Sequence, residues 1–148
     1  MAIFVINEWL WADASGQNGQ PSQRQAYEVI AKLGVSDHSI VIIERSPFDQ
    51  KAWNICKSTD TIVQAIARAY VVSLRQNFDR CLILKPEQLA AMPDDLAAAI
   101  NPDDRYLVEA QLTVAGAVLV TTDERLCEAV RAAGLSCLSR EEFLSTQL

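Results

Sequence analysis

The sequence predicts an α/β fold of three layers, a central parallel sheet of about five strands flanked by helices. Three observations predict it. Five short apolar runs are bounded by turn or cap residues, as buried strands are: "AIFVI" (2–6), "SIVII" (39–43), "RCLIL" (80–84), "AVLVT" (117–121) and "SCLS" (136–139). These runs are near-continuous rather than alternating, which suits strands covered on both faces. Segments with helical periodicity separate them, and strands alternating with one or two helices imply a parallel sheet. The chain has 148 residues, half of them hydrophobic and 22% charged, enough for a single domain over 1–148 with its own core.

Each element has a local reason. After the first strand, "ASGQNGQPSQ" (14–23) reads as a loop. "SQRQAYEVIAKLG" then repeats apolar residues at Ala26, Val29, Ile30 and Leu33 and stops at Gly34, which reads as a C-cap. After the second strand, Ser46 with Asp49 three residues on is spaced like a capping box, and Pro47 fits the first helical position. "TDTIVQAIARAYVVSLRQ" puts Ile62, Ile66, Ala69, Tyr70 and Ser73 on one stripe. Asn101-Pro102-Asp103-Asp104 is a helix start, with acids facing the positive helix end. "DERLCEAVRAAG" ends at Gly134, and Ser139 with Glu142 opens the last helix.

Composition excludes several function classes. The net charge of −6 gives no global basic footprint, which counts against a simple DNA-binding module. No apolar run reaches the ~18 residues of a membrane span. The opening "MAIFVINEWLW" lacks a basic n-region and meets acid at Glu8, unlike a secretory signal. Cys56, Cys81, Cys127 and Cys137 form no CxxC pair, and His38 is the one histidine, so free thiols in the cytoplasm are expected rather than a zinc site. No Gly-rich phosphate loop is present, and no Ser or Cys has a histidine base nearby in sequence.

The acids point elsewhere. Ligands of open parallel sheets bind beyond the carboxyl ends of the strands. Asp123 follows "AVLVT" at such an end, and Asn7 and Glu8 follow "AIFVI". Asp104 opens the helix that feeds the "AVLVT" strand. A helix antiparallel to the next strand has its N-terminus at that strand's C-terminal edge, so Asp104 and Asp123 are expected to meet there. Each acid alone has a structural use, Asp104 in a helix start and Asp123 as an N-cap. Together, convergent carboxylates suit a hard cation, Mg²⁺ or Mn²⁺.

"DDRYLVEAQLTVAGAVLVTTDERL" resembles the C-terminal signature of PIN domains: an acid, an apolar helix, a small residue, a strand, then Thr-x-Asp. The element order of nearly the whole chain is similar too. The resemblance implies a PIN-like fold and a divalent-metal-dependent ribonuclease, a hydrolase of RNA phosphodiester bonds, of the kind found as toxins in toxin–antitoxin pairs. Asp104 matches the family's helix-start acid, Asp123 its post-strand acid and Thr121 the hydroxyl residue before it. The family's first-strand Asp is here Asn7, which can ligate but brings no charge. Glu8 replaces that acid only if the strand has already ended. For the remaining acid, Glu44 at the strand end and Asp49 in the following helix are equal candidates. The implied partners are an RNA substrate, an antitoxin-like protein and a second copy in a homodimer. A different class of reading takes Asn7 as the trace of lost catalysis and makes the chain a binding or assembly module.

Other residues read more blandly. Trp9 and Trp11 are expected as core or interface anchors, Trp53 as core-facing and His38 as a surface residue without a partner. Arg45, Lys51, Arg105 and Arg125 fall near the acidic edge, where they can steer a phosphate backbone.

Overall fold

In a computed structural model that describes residues 1–148, five parallel strands form one sheet. They are β1 (Ile3–Ile6), β2 (Ser39–Ile43), β3 (Cys81–Leu84), β4 (Val118–Thr121) and β5 (Cys137–Ser139), and their spatial order is β3-β2-β1-β4-β5. β1 lies at the centre, paired with β2 (Phe4 beside Ile40) and β4 (Val5 beside Leu119). Reversal of the chain's direction across the sheet occurs at β1, so the carboxyl ends of β1 and β4 flank the crevice where parallel sheets bind ligands.

Alternate residues of each strand enter opposite cores. Phe4, Ile6, Ile40, Ile42 and Val120 pack on one face, while Val5, Val41, Ile43 and Leu119 pack on the other. The first face is covered by α1 (Trp9–Ala14), α2 (Gln20–Val35), α3 (Pro47–Cys56), α4 (Thr61–Tyr70) and α8 (Arg140–Thr146). The second is covered by α5 (Asp94–Ala99), α6 (Arg105–Thr113) and α7 (Glu124–Ala132). The result is the three-layer α/β sandwich that the apolar runs predict. No helix is long and apolar enough to cross a membrane.

Several local expectations are corrected. The 14–23 segment is a loop only as far as Gly19, because α2 starts at Gln20 with Pro21 in its first turn. Gly34 does not cap α2, which continues to Val35. A Cβ at Gly34 would lie 2.8 Å from that of Ser73, so the glycine permits close helix packing. Gly134 does follow its helix with φ +80°, a conformation that disfavours a side chain. After Tyr70 the α4 helix widens into a π-helical turn, Val71–Arg75.

Trp11 is buried between Phe48 and Tyr70, with ring centroids 5.1 and 4.7 Å away. Trp53 does not face the core; it is 42% exposed and lies under the Arg75 guanidinium. His38 has partners after all: its Nδ1 accepts from the Ala2 amide at 3.0 Å and its ring meets Phe4 edge-on. Cys127 and Cys137 are joined in a disulfide, against the expectation of four free thiols, and only Cys56 and Cys81 are free. The tight turn at Gly134 folds β5 back beside α7 and brings their Cα atoms to 5.6 Å, within bridging range.

Candidate active site

β1 ends at Ile6, and the next two residues begin the site. The Asn7 amide still continues the ladder to the Val120 carbonyl at 3.0 Å. By the alternation of β1, the Asn7 side chain falls on the α6 side of the sheet. Its Nδ2 donates to Thr121 Oγ1 at 3.0 Å, and its Oδ1 accepts from the Glu8 amide at 2.7 Å. That last bond turns the chain out of the strand. Glu8 therefore sits in helical conformation at the start of α1 rather than on the strand's opposite face. The condition for Glu8 to stand in for a first-strand acid is met.

The Glu8 carboxylate has a partner on each oxygen. Lys51 of α3 places Nζ 2.7 Å from Oε1, and the Tyr106 hydroxyl of α6 donates to Oε2 at 3.3 Å. Burial, and next the charge of Glu8, pushes the Tyr106 phenol well above its ordinary pKa, so it stays a donor.

Asp104 ends a 3₁₀ turn, Pro102–Asp104, that leads into α6 and is opened by Asn101, whose side chain accepts from the Asp103 amide at 3.0 Å. Its carboxyl is raised above the ordinary range by partial burial, then by the charges of Asp123, Glu8 and Asp103. Like charges from the starts of α7 and α1 and from its own turn thus act on one carboxyl. Asp123 is the N-cap of α7, accepting from the Leu126 amide at 3.1 Å. Thr121, 1% exposed, accepts from both Asn7 Nδ2 and the Asp123 amide, at 3.0 and 3.1 Å. Its hydroxyl ties the ends of β1 and β4 together, which makes it an orienting group buried below the site.

A cleft of about 500 Å³ opens beside these groups, lined by Asn7, Glu8, Lys51, Asp104 and Thr122 and also by Asp13 and Arg140. Asp123 does not line it; it borders a neighbouring cleft with Thr121 and Glu124. Glu44 and Asp49 line neither. Asp49 is 4% exposed, with one oxygen accepting from the Arg45 amide at 3.0 Å and the other 3.6 Å from Arg75 Nε. It holds Arg45 at φ 64°, a strained value for a side-chain-bearing residue. At ~100° per residue, Lys51 lies about 200° around α3 from Asp49. That rotation turns Lys51 towards Glu8 as Asp49 turns inward.

Sequence reasoning missed Tyr106, Asp13 and Arg140. Arg140 was within reach of the rule that found Asp123, because it directly follows β5. Tyr106 carries no such signal, since its link to Glu8 spans 98 positions.

No family model matches the chain, and no curated protein matches it. What the site can do follows from its own residues. All its donors are oxygens, the kind a hard divalent cation takes. As they stand, no three His, Cys, Asp or Glu side chains are close enough to hold an ion.

Proposed function

We propose that the chain is a divalent-metal-dependent ribonuclease of PIN type that hydrolyses RNA phosphodiester bonds. The supporting observation is that Glu8, Asp104 and Asp123, from three separate elements, lie near enough for the charges of Asp123 and Glu8 to raise the Asp104 carboxyl. Lys51 neutralises Glu8, and the repulsion left between Asp104 and Asp123 is of the kind a cation relieves. Glu8, Asp104 and Asp123 would hold Mg²⁺ or Mn²⁺, with Asn7 Oδ1 available as a neutral donor. The ion supplies Lewis acidity towards a phosphoryl oxygen and activates water. The chain's own groups do the rest. Thr121 fixes Asn7 and Asp123 relative to each other, Tyr106 orients Glu8, and Lys51 offers a positive charge to the phosphate backbone. An antitoxin-like partner, a homodimer and a cytoplasmic setting belong to the same proposal.

If this reading holds, Mn²⁺ raises the melting temperature, because it binds the folded state alone. At a hundredfold excess over Kd the gain is about 2.7 kcal/mol. At ~2–4 °C per kcal/mol for a chain of this size, that is roughly 5–10 °C. Superimposable melting curves in millimolar Mn²⁺ and in EDTA reject the enzyme reading.

Asn7→Asp tests the position where the chain departs from the PIN pattern. The Thr121 hydroxyl can rotate to donate to the new carboxylate, and the Glu8 amide keeps its acceptor, so the substitution fits locally. The added charge tightens Mn²⁺ binding by about ten- to thirtyfold, or ~1–2 kcal/mol, after repulsion from Asp104 and Glu8 is discounted. Stability without metal falls while metal-bound stability rises, and that opposite movement is the diagnostic. Unchanged affinity by calorimetry places Asn7 outside the coordination sphere.

The second reading, a binding module without catalysis, is favoured by two observations: Asn7 is neutral, and Lys51 already neutralises Glu8. It expects RNA binding in EDTA, weakened by salt, with no cleavage when Mn²⁺ is added.

A further inference from the structure

The sheet ends differently on its two sides. At β5, a strand of three residues, Arg131 Nε and Nη2 both donate to the outward Cys137 carbonyl, at 3.3 and 2.8 Å. That edge is closed. At β3 the Arg80 and Leu84 carbonyls accept from the Ile40 and Glu44 amides on the β2 side, at 2.8 and 2.9 Å. By the alternation of a strand, Leu82 also bonds towards β2, while Cys81 and Ile83 turn their N–H and C=O groups away from the sheet. No side chain or loop of the chain takes those groups. The strand, "CLIL", carries neither charge nor proline, two devices that blunt an exposed edge. Beside this free edge Phe78 is 84% exposed and Leu82 41% exposed.

Such an edge accepts another strand, and its own residues select which. With a second copy set antiparallel about a twofold axis at Leu82, Cys81 lies opposite Ile83 of the second copy. Both residues point outward, so each such pair exchanges both of its backbone N–H···O bonds. Leu82 meets Leu82 at the axis, in the closer, non-hydrogen-bonded kind of pair, and the exposed side chain of each is covered. Asp79 falls opposite Lys85 at both ends, and neither is ion-paired within its own chain. Neighbouring registers match less well. Centring on Ile83 sets Asp79 against Glu87, and centring on Cys81 sets Leu82 against Arg80. We propose that β3 is a homodimer edge, which pairs antiparallel with β3 of a second copy so that the two sheets become one. This gives a surface to the homodimer named above, yet it rests on the edge alone and not on metal or RNA. β2 separates β3 from β1, so the pairing leaves the cleft of each copy open.

The test is sedimentation equilibrium of the full chain in EDTA and without RNA. Pairing over so short an edge sits at the low end of specific interfaces, so the natural chain is expected to dimerise with a Kd of about 10 µM. Leu82→Lys sets two like charges at the axis and is expected to weaken the dimer about tenfold or more. Asp79→Lys alone is expected to weaken it about tenfold, and Asp79→Lys combined with Lys85→Asp to restore it. Asp79 and Lys85 are both exposed, so these variants keep the fold, which circular dichroism checks. A natural chain that stays monomeric well above that concentration overturns the proposal. A dimer that survives Leu82→Lys overturns this surface. Loss in Asp79→Lys without rescue by the double swap overturns the pairing of β3 with β3 in this register. Dimerisation of a chain that cleaves no RNA supports the edge and overturns only the ribonuclease reading; cleavage by a chain that never dimerises does the reverse.

Discussion

On the proposed ribonuclease reading, Asp104→Asn is expected to lower RNA cleavage by about 10²–10³-fold, the size typical of removing one preorganised electrostatic group, while leaving the metal-free protein as stable as before or more stable. Asp104 is pushed up by burial and by Asp123, Glu8 and Asp103, so its folded pKa exceeds its unfolded one. Between those two values the unfolded chain loses the proton first. Stability therefore falls as pH rises through that window, and the penalty persists at neutral pH. An amide removes it. The Asn variant should show a flatter dependence of melting temperature on pH above about 4, and the natural chain should gain stability on mild acidification in EDTA. Asp123→Asn should behave alike in cleavage, and since Asn caps helices as well as Asp does, α7 keeps its cap. Asp49→Asn is the contrast. It leaves Arg75 without its charged partner in a buried setting, so it should lose stability first and cleavage only through the fold. A several-degree loss of melting temperature in Asp104→Asn, with cleavage retained, would mean that Asp104 serves the helix start alone.

The strands were legible because burial on both faces writes itself as runs such as "SIVII", and β2 occupies Ser39–Ile43 as read. The shared edge of Asp104 and Asp123 was legible from one topological rule. Glu8 was half legible: its role turned on where β1 stops, which the Asn7–Glu8 bond decides and no periodicity reveals. α1 was missed because Glu8 gives it no side-chain cap, and two tryptophans after a strand read as core or interface anchors whether or not a helix carries them. Asp49 looked like a site acid because its distance from the strand was right. Its orientation depends on Arg75, which the π-helical turn delivers from a different part of the chain. Pairing across long separations is what a single sequence leaves unstated.

The largest stability effect should come from the Asp13–Arg140 pair that lines the cleft. Arg140 Nε lies 2.9 Å from Asp13 Oδ2, and the two side chains are only 14% and 4% exposed. Asn18 Nδ2 donates to the other Asp13 oxygen at 2.8 Å, Gln25 accepts from the guanidinium, and the Trp9 ring lies 5.4 Å beneath it. Both charges are thus desolvated and tied into α1, α2 and α8 at once. Removing one partner strands the other. Asp13→Leu or Arg140→Met alone should cost about 3–5 kcal/mol, roughly 6–20 °C in melting temperature at ~2–4 °C per kcal/mol. The double variant should recover a large part of that loss, since an apolar pair of similar volume leaves no buried charge unpaired. A double-mutant cycle followed by thermal melting measures the coupling. The same pair decides whether this part of the cleft handles RNA. Asp13 and Arg140 cancel each other, so removing both leaves the charge of the cleft unchanged, and RNA affinity and its salt slope should stay the same in the double variant. Single variants that melt within about 1 kcal/mol of the natural chain would show that solvent reaches the pair. A double variant that folds but loses RNA affinity would make Arg140 a phosphate contact in its own right.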